Sequence, residues 1–230
     1  MRTPGADFEL ACGFLFGEGV IERREQVLQI SYCKDATLPP EQLYNIVIVE
    51  LDPSSQPDLS PLERHFFTSS ACGVCGKANL DAIELRGIEP LPSGAPVSPS
   101  VISELPDRLR RSQSVFSSTG GLHAAGLFTT DGTEVVVRED VGRHNAVDKL
   151  VGWAFLDGRT PLHDHVLMVS GRSSFEIAQK CVAAGAPILC SVSAPSSLAV
   201  DVASRFNMTL VGFVRDERFN VYAGADRVSA

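Results

Sequence analysis

Two thiols three positions apart, Cys72 and Cys75, lie in the run Ser69-Ser70-Ala71-Cys72-Gly73-Val74-Cys75-Gly76-Lys77 and have the types and spacing to do chemistry. Such a pair can share a metal, close into a disulfide, or pass a sulfur atom from one member to the other. Only the thiolate does this chemistry, and its availability follows the local pKa. Small residues on every side leave the sulfurs uncrowded, and Lys77 adds a nearby positive charge.

The three chemistries ask for different company. A structural zinc site needs about four ligands, usually announced by a second Cys/His pair. His163-Asp164-His165 is the candidate, but it is distant and follows a loop proline, Pro161. A thioredoxin-like dithiol would sit at a helix start just after an early strand. Gly76-Lys77-Ala78-Asn79 permits a helix there without demanding one. In sulfur transfer, an exposed thiolate attacks a donor persulfide, holds the sulfur as Cys-S-SH and delivers it, and the second thiol assists release. Spacing alone does not separate this from redox exchange, because both proceed by attack on a bonded sulfur.

A second set of residues is suited to holding a ligand. Ser170-Gly171-Arg172-Ser173-Ser174 and Ser193-Ala194-Pro195-Ser196-Ser197 read as strand-to-helix turns. Ligands in open α/β sheets gather beyond the carboxyl ends of the strands, and the free amides of a helix start favour an anion. Either turn alone could merely cap and turn. Together, with Arg172 and Arg215 nearby, they suit a phosphorylated ligand. Thr119-Gly120-Gly121-Leu122-His123-Ala124-Ala125-Gly126 could cradle a flat or phosphorylated group, or form a tight turn. Arg138-Glu139-Asp140-Val141-Gly142-Arg143-His144-Asn145 has the charge density of a solvated face, yet it lies between an apolar strand and an amphipathic helix. His144 could shuttle a proton near neutrality, or be a satisfied structural histidine.

The elements that must position these groups follow from hydrophobic spacing. Phe8, Ala11, Cys12 and Leu15 form a helical stripe that ends at Gly17-Glu18-Gly19. Residues 44–51 and 64–68 read as strands, with a Pro/Ser/Asp loop over 52–61 between them. The Pro-rich stretch 91–99 divides the chain into a front portion, residues 1–98, and an α/β core, residues 99–230, that opens with a helix over 100–111. Strands at 122–129 and 134–138 flank Thr130-Asp131-Gly132-Thr133, a hairpin signal. A helix then buries Ala146, Val147, Leu150, Val151 and Ala154. Strands at 166–169, 187–192 and 209–214 alternate with two helices, the first starting at a Ser173/Glu176 capping box. That alternation implies parallel pairing and a layered α/β fold.

At 230 residues, with 44% hydrophobic and 21% charged content, the chain can bury one substantial core. A net charge of -8 argues against a general nucleic-acid surface. No apolar run approaches the length needed to cross a bilayer, and residues 1–7 lack the apolar stretch of a signal peptide. A cytoplasmic protein is expected, in which Cys12, Cys33, Cys72, Cys75, Cys181 and Cys190 are mostly reduced. Cys12, Cys181 and Cys190 fall on apolar faces and read as core residues; Cys33 is unassigned.

The chain resembles the formate dehydrogenase accessory proteins called FdhD, which are sulfur carriers. The resemblance rests on blocks that run in order along nearly the whole chain: residues 1–5, 70–76, 119–125, 138–149, 170–172 and 193–199. It implies a fold similar to that of cytidine deaminases, here with a smaller α+β subdomain. It also implies a homodimer that takes sulfur from a cysteine desulfurase and passes it to the bis-molybdopterin guanine dinucleotide molybdenum cofactor of formate dehydrogenase. Cys72 matches the persulfide-carrying position and Cys75 its partner. Phe213-Val214-Arg215-Asp216-Glu217-Arg218 matches the family's cofactor-binding segment. On that reading Gly120, Gly121, His123, Arg143, His144, Gly171, Arg172, Ser173 and Ser196 would face the cofactor, for which a guanine nucleotide could stand in. Deaminase chemistry itself is not expected, since its His-x-Glu element is absent and Ala71 precedes Cys72. Family members usually carry a further opening segment before the motif that begins here at Met1, so early strands are expected to be missing.

Overall fold

A computed structural model gives the fold and describes residues 1–35, 37, 39, 42, 44–59, 62 and 87–229. Helix α1 (Asp7–Glu18) ends at Gly19, whose φ of 79° makes the left-handed cap that only glycine takes cheaply. A short antiparallel ribbon follows, β1 (Val27–Tyr32) with β2 (Val47–Leu51). The remaining elements are α2 (Pro99–Arg111), α3 (Ser114–Thr119), β3 (His123–Thr129), β4 (Glu134–Asp140), α4 (Arg143–Leu156), β5 (His165–Val169), α5 (Phe175–Ala183), β6 (Ile188–Ser191), α6 (Ser197–Arg205), β7 (Thr209–Arg215) and β8 (Arg218–Ala223). The expected strand over 64–68, Cys72 and Cys75 lie outside the described residues.

Six strands form one mixed sheet in the order β4-β3-β5-β6-β7-β8. Its centre, β5-β6-β7, is parallel, as the strand–helix alternation requires. Antiparallel hairpins flank it, β3/β4 on one side and β7/β8 on the other. The middles of these parallel strands are apolar and buried because both sheet faces are covered, with His165, Ser191, Thr209 and Arg215 at their ends. One core includes Leu127, Leu167 and Leu189 of the sheet with residues of α1, α4, α5 and α6; the other sets Ile102, Leu105 and Leu109 of α2 against Phe128, Met168 and Cys190. The expected core thiols Cys12, Cys181 and Cys190 are indeed buried, while Cys33 is partly exposed.

Helix α1 crosses α4 at backbone contact. A Cβ at Gly13 would fall 1.8 Å from the Asp148 carbonyl oxygen, and one at Gly152 would fall 1.8 Å from that of Glu9. The front of the chain is thereby locked onto the back half.

Three local readings need correction. The helix expected to start at a Ser173/Glu176 capping box has Ser174 as its N-cap, without a side-chain cap bond. Backbone pairing of Ser173 with Pro195 holds that turn one residue short of the sequence pattern. The expected strand over 44–51 begins only at Val47. Strands β1 and β8, and helix α3, were not expected from the hydrophobic spacing.

Candidate functional site

The register places one end of the sheet under nearly all the ligand-binding candidates. β5, β6 and β7 finish there, at Val169, Ser191 and Arg215. β3 starts there, with His123 opposite Asp140, the last residue of β4, and Ala125 opposite Val169. At this end lie the Gly120-Gly121 turn, Arg143 and His144 at the start of α4, Gly171 to Ser173, Ser196, and the β7/β8 hairpin from Phe213 to Arg218.

Two carboxylates in the charged run hold the floor of this edge. Asp140 is fully buried and accepts from the amides of Thr3 and Gly142, each at 2.9 Å, and from Asn145 Nδ2 at 3.0 Å. Lys149 Nζ adds an ion pair at 2.7 Å and also donates to the Thr3 carbonyl at 2.8 Å. Burial pushes the Asp140 carboxyl up, but Lys149 and these donors outweigh it and hold the group below its ordinary range. Glu139 accepts from the Val115 and Phe116 amides at 2.9 and 2.8 Å, capping α3. That helix ends on Gly120 with φ 68°, which delivers the Gly120-Gly121 turn to the site. The density of charge in this run therefore serves buried pairing as well as solvation. No sequence reading singled out Thr3, Glu139, Asp140 or Lys149 by role. The available signal was an acidic pair closing a strand just before an apolar helix.

Above this floor, Arg143 and Arg172 approach His123 with no carboxylate paired to either arginine among the described residues. His123 Nδ1 lies 3.4 Å from Ser170 Oγ, which itself accepts from the Ala124 amide. Burial, followed by the charges of Arg143, His144 and Arg172, holds the His123 pKa below its ordinary value. A methyl group on Gly171 would sit 3.3 Å from His123 Nδ1 and 3.4 Å from Arg143 Cδ, so the missing side chain is what lets these two approach. Arg143 Nε and Ser173 Oγ are buried with no hydrogen-bond partner. Buried polar atoms are nearly always satisfied, so these two are open to an ordered water or to a ligand atom. Arg172 is exposed beside them.

His144 Nε2 lies 2.9 Å from Ser174 Oγ and 3.7 Å from Glu176 Oε2. Both partners face the same ring nitrogen. A Ser-His-acid triad would use both nitrogens, so this grouping orients the imidazole and does not prime Ser174 as a nucleophile. Ser196 is engaged as the N-cap of α6, accepting from the Ala199 amide at 3.2 Å.

The C-terminal hairpin carries backbone strain. Phe213 has φ 55°, in the left-handed region a bulky residue rarely adopts, and its amide donates to the Ser193 carbonyl at 3.2 Å. A register shift spans Gly212 to Arg215, and the turn uses Asp216 and Glu217 at φ 48° and 57°. Such strain clusters at functional segments. Val214 is buried in the core, whereas Arg215, Asp216, Glu217 and Arg218 are exposed.

Two clefts open on the α2 face of this edge. One, of about 530 Å³, is lined by Gly120, Gly121, His123 and Ser170; the other, of about 690 Å³, by Val214, Arg215, Asp216 and Glu217. They share a wall made by Pro106, Asp107 and Val192. The structure thus sorts the expected residues into two clefts and an adjoining group in which Gly171 and Ser173 accompany the basic Arg143 and Arg172. Phe213, Arg218, His144 and Ser196 line neither cleft. Among the described residues no three His, Cys, Asp or Glu side chains converge as metal ligands, and no helix is long and apolar enough to cross a membrane.

The chain matches the FdhD/NarQ family model over residues 1–229. It is 56% identical over 232 residues to the sulfur carrier protein FdhD of Streptomyces coelicolor, covering 100% of this chain and 82% of that protein. To the sulfur carrier protein FdhD of Mycobacterium tuberculosis it is 51% identical over 233 residues, covering 100% and 84%. A crystal structure of a putative formate dehydrogenase accessory protein from Desulfotalea psychrophila superposes with a TM-score of 0.74 at 28% identity, covering 100% of this chain and 82% of that one. A match of this extent, on sequence and on fold alike, makes the chain a member of the FdhD/NarQ family.

Proposed function

We propose that this protein is a cytoplasmic sulfur relay that serves formate dehydrogenase. The Cys72 thiolate attacks the persulfide of a cysteine desulfurase and takes its outer sulfur, releasing the desulfurase thiolate. The cargo, a bis-molybdopterin guanine dinucleotide molybdenum cofactor, is held at the sheet edge. The Cys75 thiol then attacks the Cys72 sulfur, the outer sulfur leaves as sulfide toward the metal, and a Cys72–Cys75 disulfide remains. A thiol reductant reopens it. The dithiol supplies the two electrons that turn sulfane sulfur into sulfide.

One observation carries the binding half of this reading: the convergence of Arg143, Arg172 and His123 on the end of the sheet with Arg143 Nε and Ser173 Oγ unpartnered. Cationic and hydroxyl donors at helix starts suit the phosphates of a dinucleotide. Two clefts sharing one wall suit an elongated cargo. The names of the relatives support the sulfur half, as do Cys72 and Cys75 themselves. Homodimerisation belongs to the same reading and is checked by sedimentation.

The test is mass spectrometry after incubation with a cysteine desulfurase and cysteine. One reducible sulfur on the Cys72 peptide is expected, and none in Cys72→Ala, which should still bind cofactor. Cofactor binding without sulfur on either thiol would replace the relay with a cofactor-binding chaperone.

A further inference from the structure

We propose that Thr3 is a positioning residue for the basic cluster, acting through the turn that carries Arg143. This inference rests on the binding half of the function proposed above. Thr3 is 137 residues from Asp140 in sequence, yet its backbone amide donates to Asp140 Oδ2 at 2.9 Å. Its carbonyl accepts from Lys149 Nζ at 2.8 Å, and its hydroxyl accepts from the Val141 amide at 2.9 Å. The opening peptide is therefore stitched to both sides of Asp140-Val141-Gly142.

The hydroxyl bond has a purpose the backbone bonds do not share. Val141 and Gly142 connect the end of β4 to the start of α4, and the Val141 amide has Thr3 Oγ1 as its acceptor. Gly142 is fixed from the other side by Asp140 Oδ1. Together these contacts set where α4 begins, and so where the Arg143 stem meets Gly171 and His123. Among the described residues Arg143 has no carboxylate, and its Nε has no partner. The backbone must hold it in place until a ligand arrives. Preorganisation of this kind is worth affinity because the ligand does not have to order the turn.

Two substitutions separate the hydroxyl from the shape of the side chain. Thr3→Val keeps the branched outline and removes the acceptor; Thr3→Ser keeps the acceptor. Amide exchange is followed by NMR, and guanosine diphosphate serves as the probe in calorimetry. In Thr3→Val, the Val141 and Gly142 amides should exchange faster while those of β5 and β6 are unchanged. Guanosine diphosphate should bind about fivefold more weakly, the worth of one neutral hydrogen bond. Thr3→Ser should match the wild type in both. Unchanged exchange at Gly142 in Thr3→Val would overturn the proposal, as would equal losses in the two variants. If the wild type does not bind the probe at all, the nucleotide reading fails, and exchange at Gly142 still decides the role of Thr3.

Discussion

Lys180 on α5 reaches Asp148 on α4, its Nζ 2.6 Å from Oδ1, with the side chains only 7% and 5% exposed. Burial pushes the Asp148 carboxyl above its ordinary range, and Lys180 pulls against that shift. Such a pair is tolerated only while both members are present. Lys180→Met should cost about 3–5 kcal/mol in urea denaturation by stranding the carboxylate. Adding Asp148→Leu should recover most of the loss. A cost below about 1 kcal/mol for Lys180→Met would show that water reaches Asp148.

The α1–α4 crossing has no room for a methyl group. Gly152→Ala would drive Cβ into the Glu9 carbonyl and Gly13→Ala into that of Asp148. Overpacking against backbone cannot be relieved by a rotamer change, so each should cost about 3 kcal/mol or more. Thermal melts of the two variants decide it. Near-wild-type melting would mean that the helices slide apart readily.

Glu176 supplies the pH dependence. Its pairing with His144, 3.7 Å away, helped by Ser174, holds its pKa at about 2, against an ordinary value of 4.5. A depressed carboxyl binds fewer protons in the folded state, so its stabilisation is complete above about pH 5 and fades as pH falls from 4.5 toward 2. The stability difference between wild type and Glu176→Gln should shrink across that window. The side chain is 43% exposed, so solvent screening keeps the effect well below the full linkage value. A difference independent of pH would separate Glu176 from His144.

Arg143 sets function against stability. Its Nε is buried and unpartnered, so Arg143→Met should leave the melting temperature unchanged or raise it. The same variant should weaken guanosine diphosphate binding at least about tenfold, since charge-assisted bonds to phosphate are strong. Parallel loss of stability and affinity would make Arg143 a structural residue.

The back half of the chain was the more legible part. Local rules governed it: apolar strands at 166–169 and 209–214, a turn at Asp131-Gly132, and a helix opening from the Ser193–Ser197 run all fell close to expectation, although Ser196 caps that helix where it was expected to face the cofactor. Ser173 misled because its pairing with Pro195, distant in sequence, overrode the local capping pattern. Strand β8 was hidden because its core-facing residues are only Phe219, Val221 and the small Ala223, and the turn before it uses Asp216 and Glu217 where glycine or asparagine would have been the signal. Asp140 was hidden differently. Its partners Asn145 and Lys149 follow closely on α4, but Thr3 is 137 residues away, so no local window shows the full set.

Burial also silences half of the cysteines. It pushes the Cys12 thiol up to about 11 and Cys181 to about 12, and raises Cys190 as well. None of the three offers a useful thiolate at neutral pH, and none is open to an alkylating reagent while the fold is intact. Native-state labelling therefore has at most Cys33, Cys72 and Cys75 to report on. With a single replacement, Cys33→Ser, any thiol that labels in the native protein belongs to the Cys-x-x-Cys pair, and the core is left as it is.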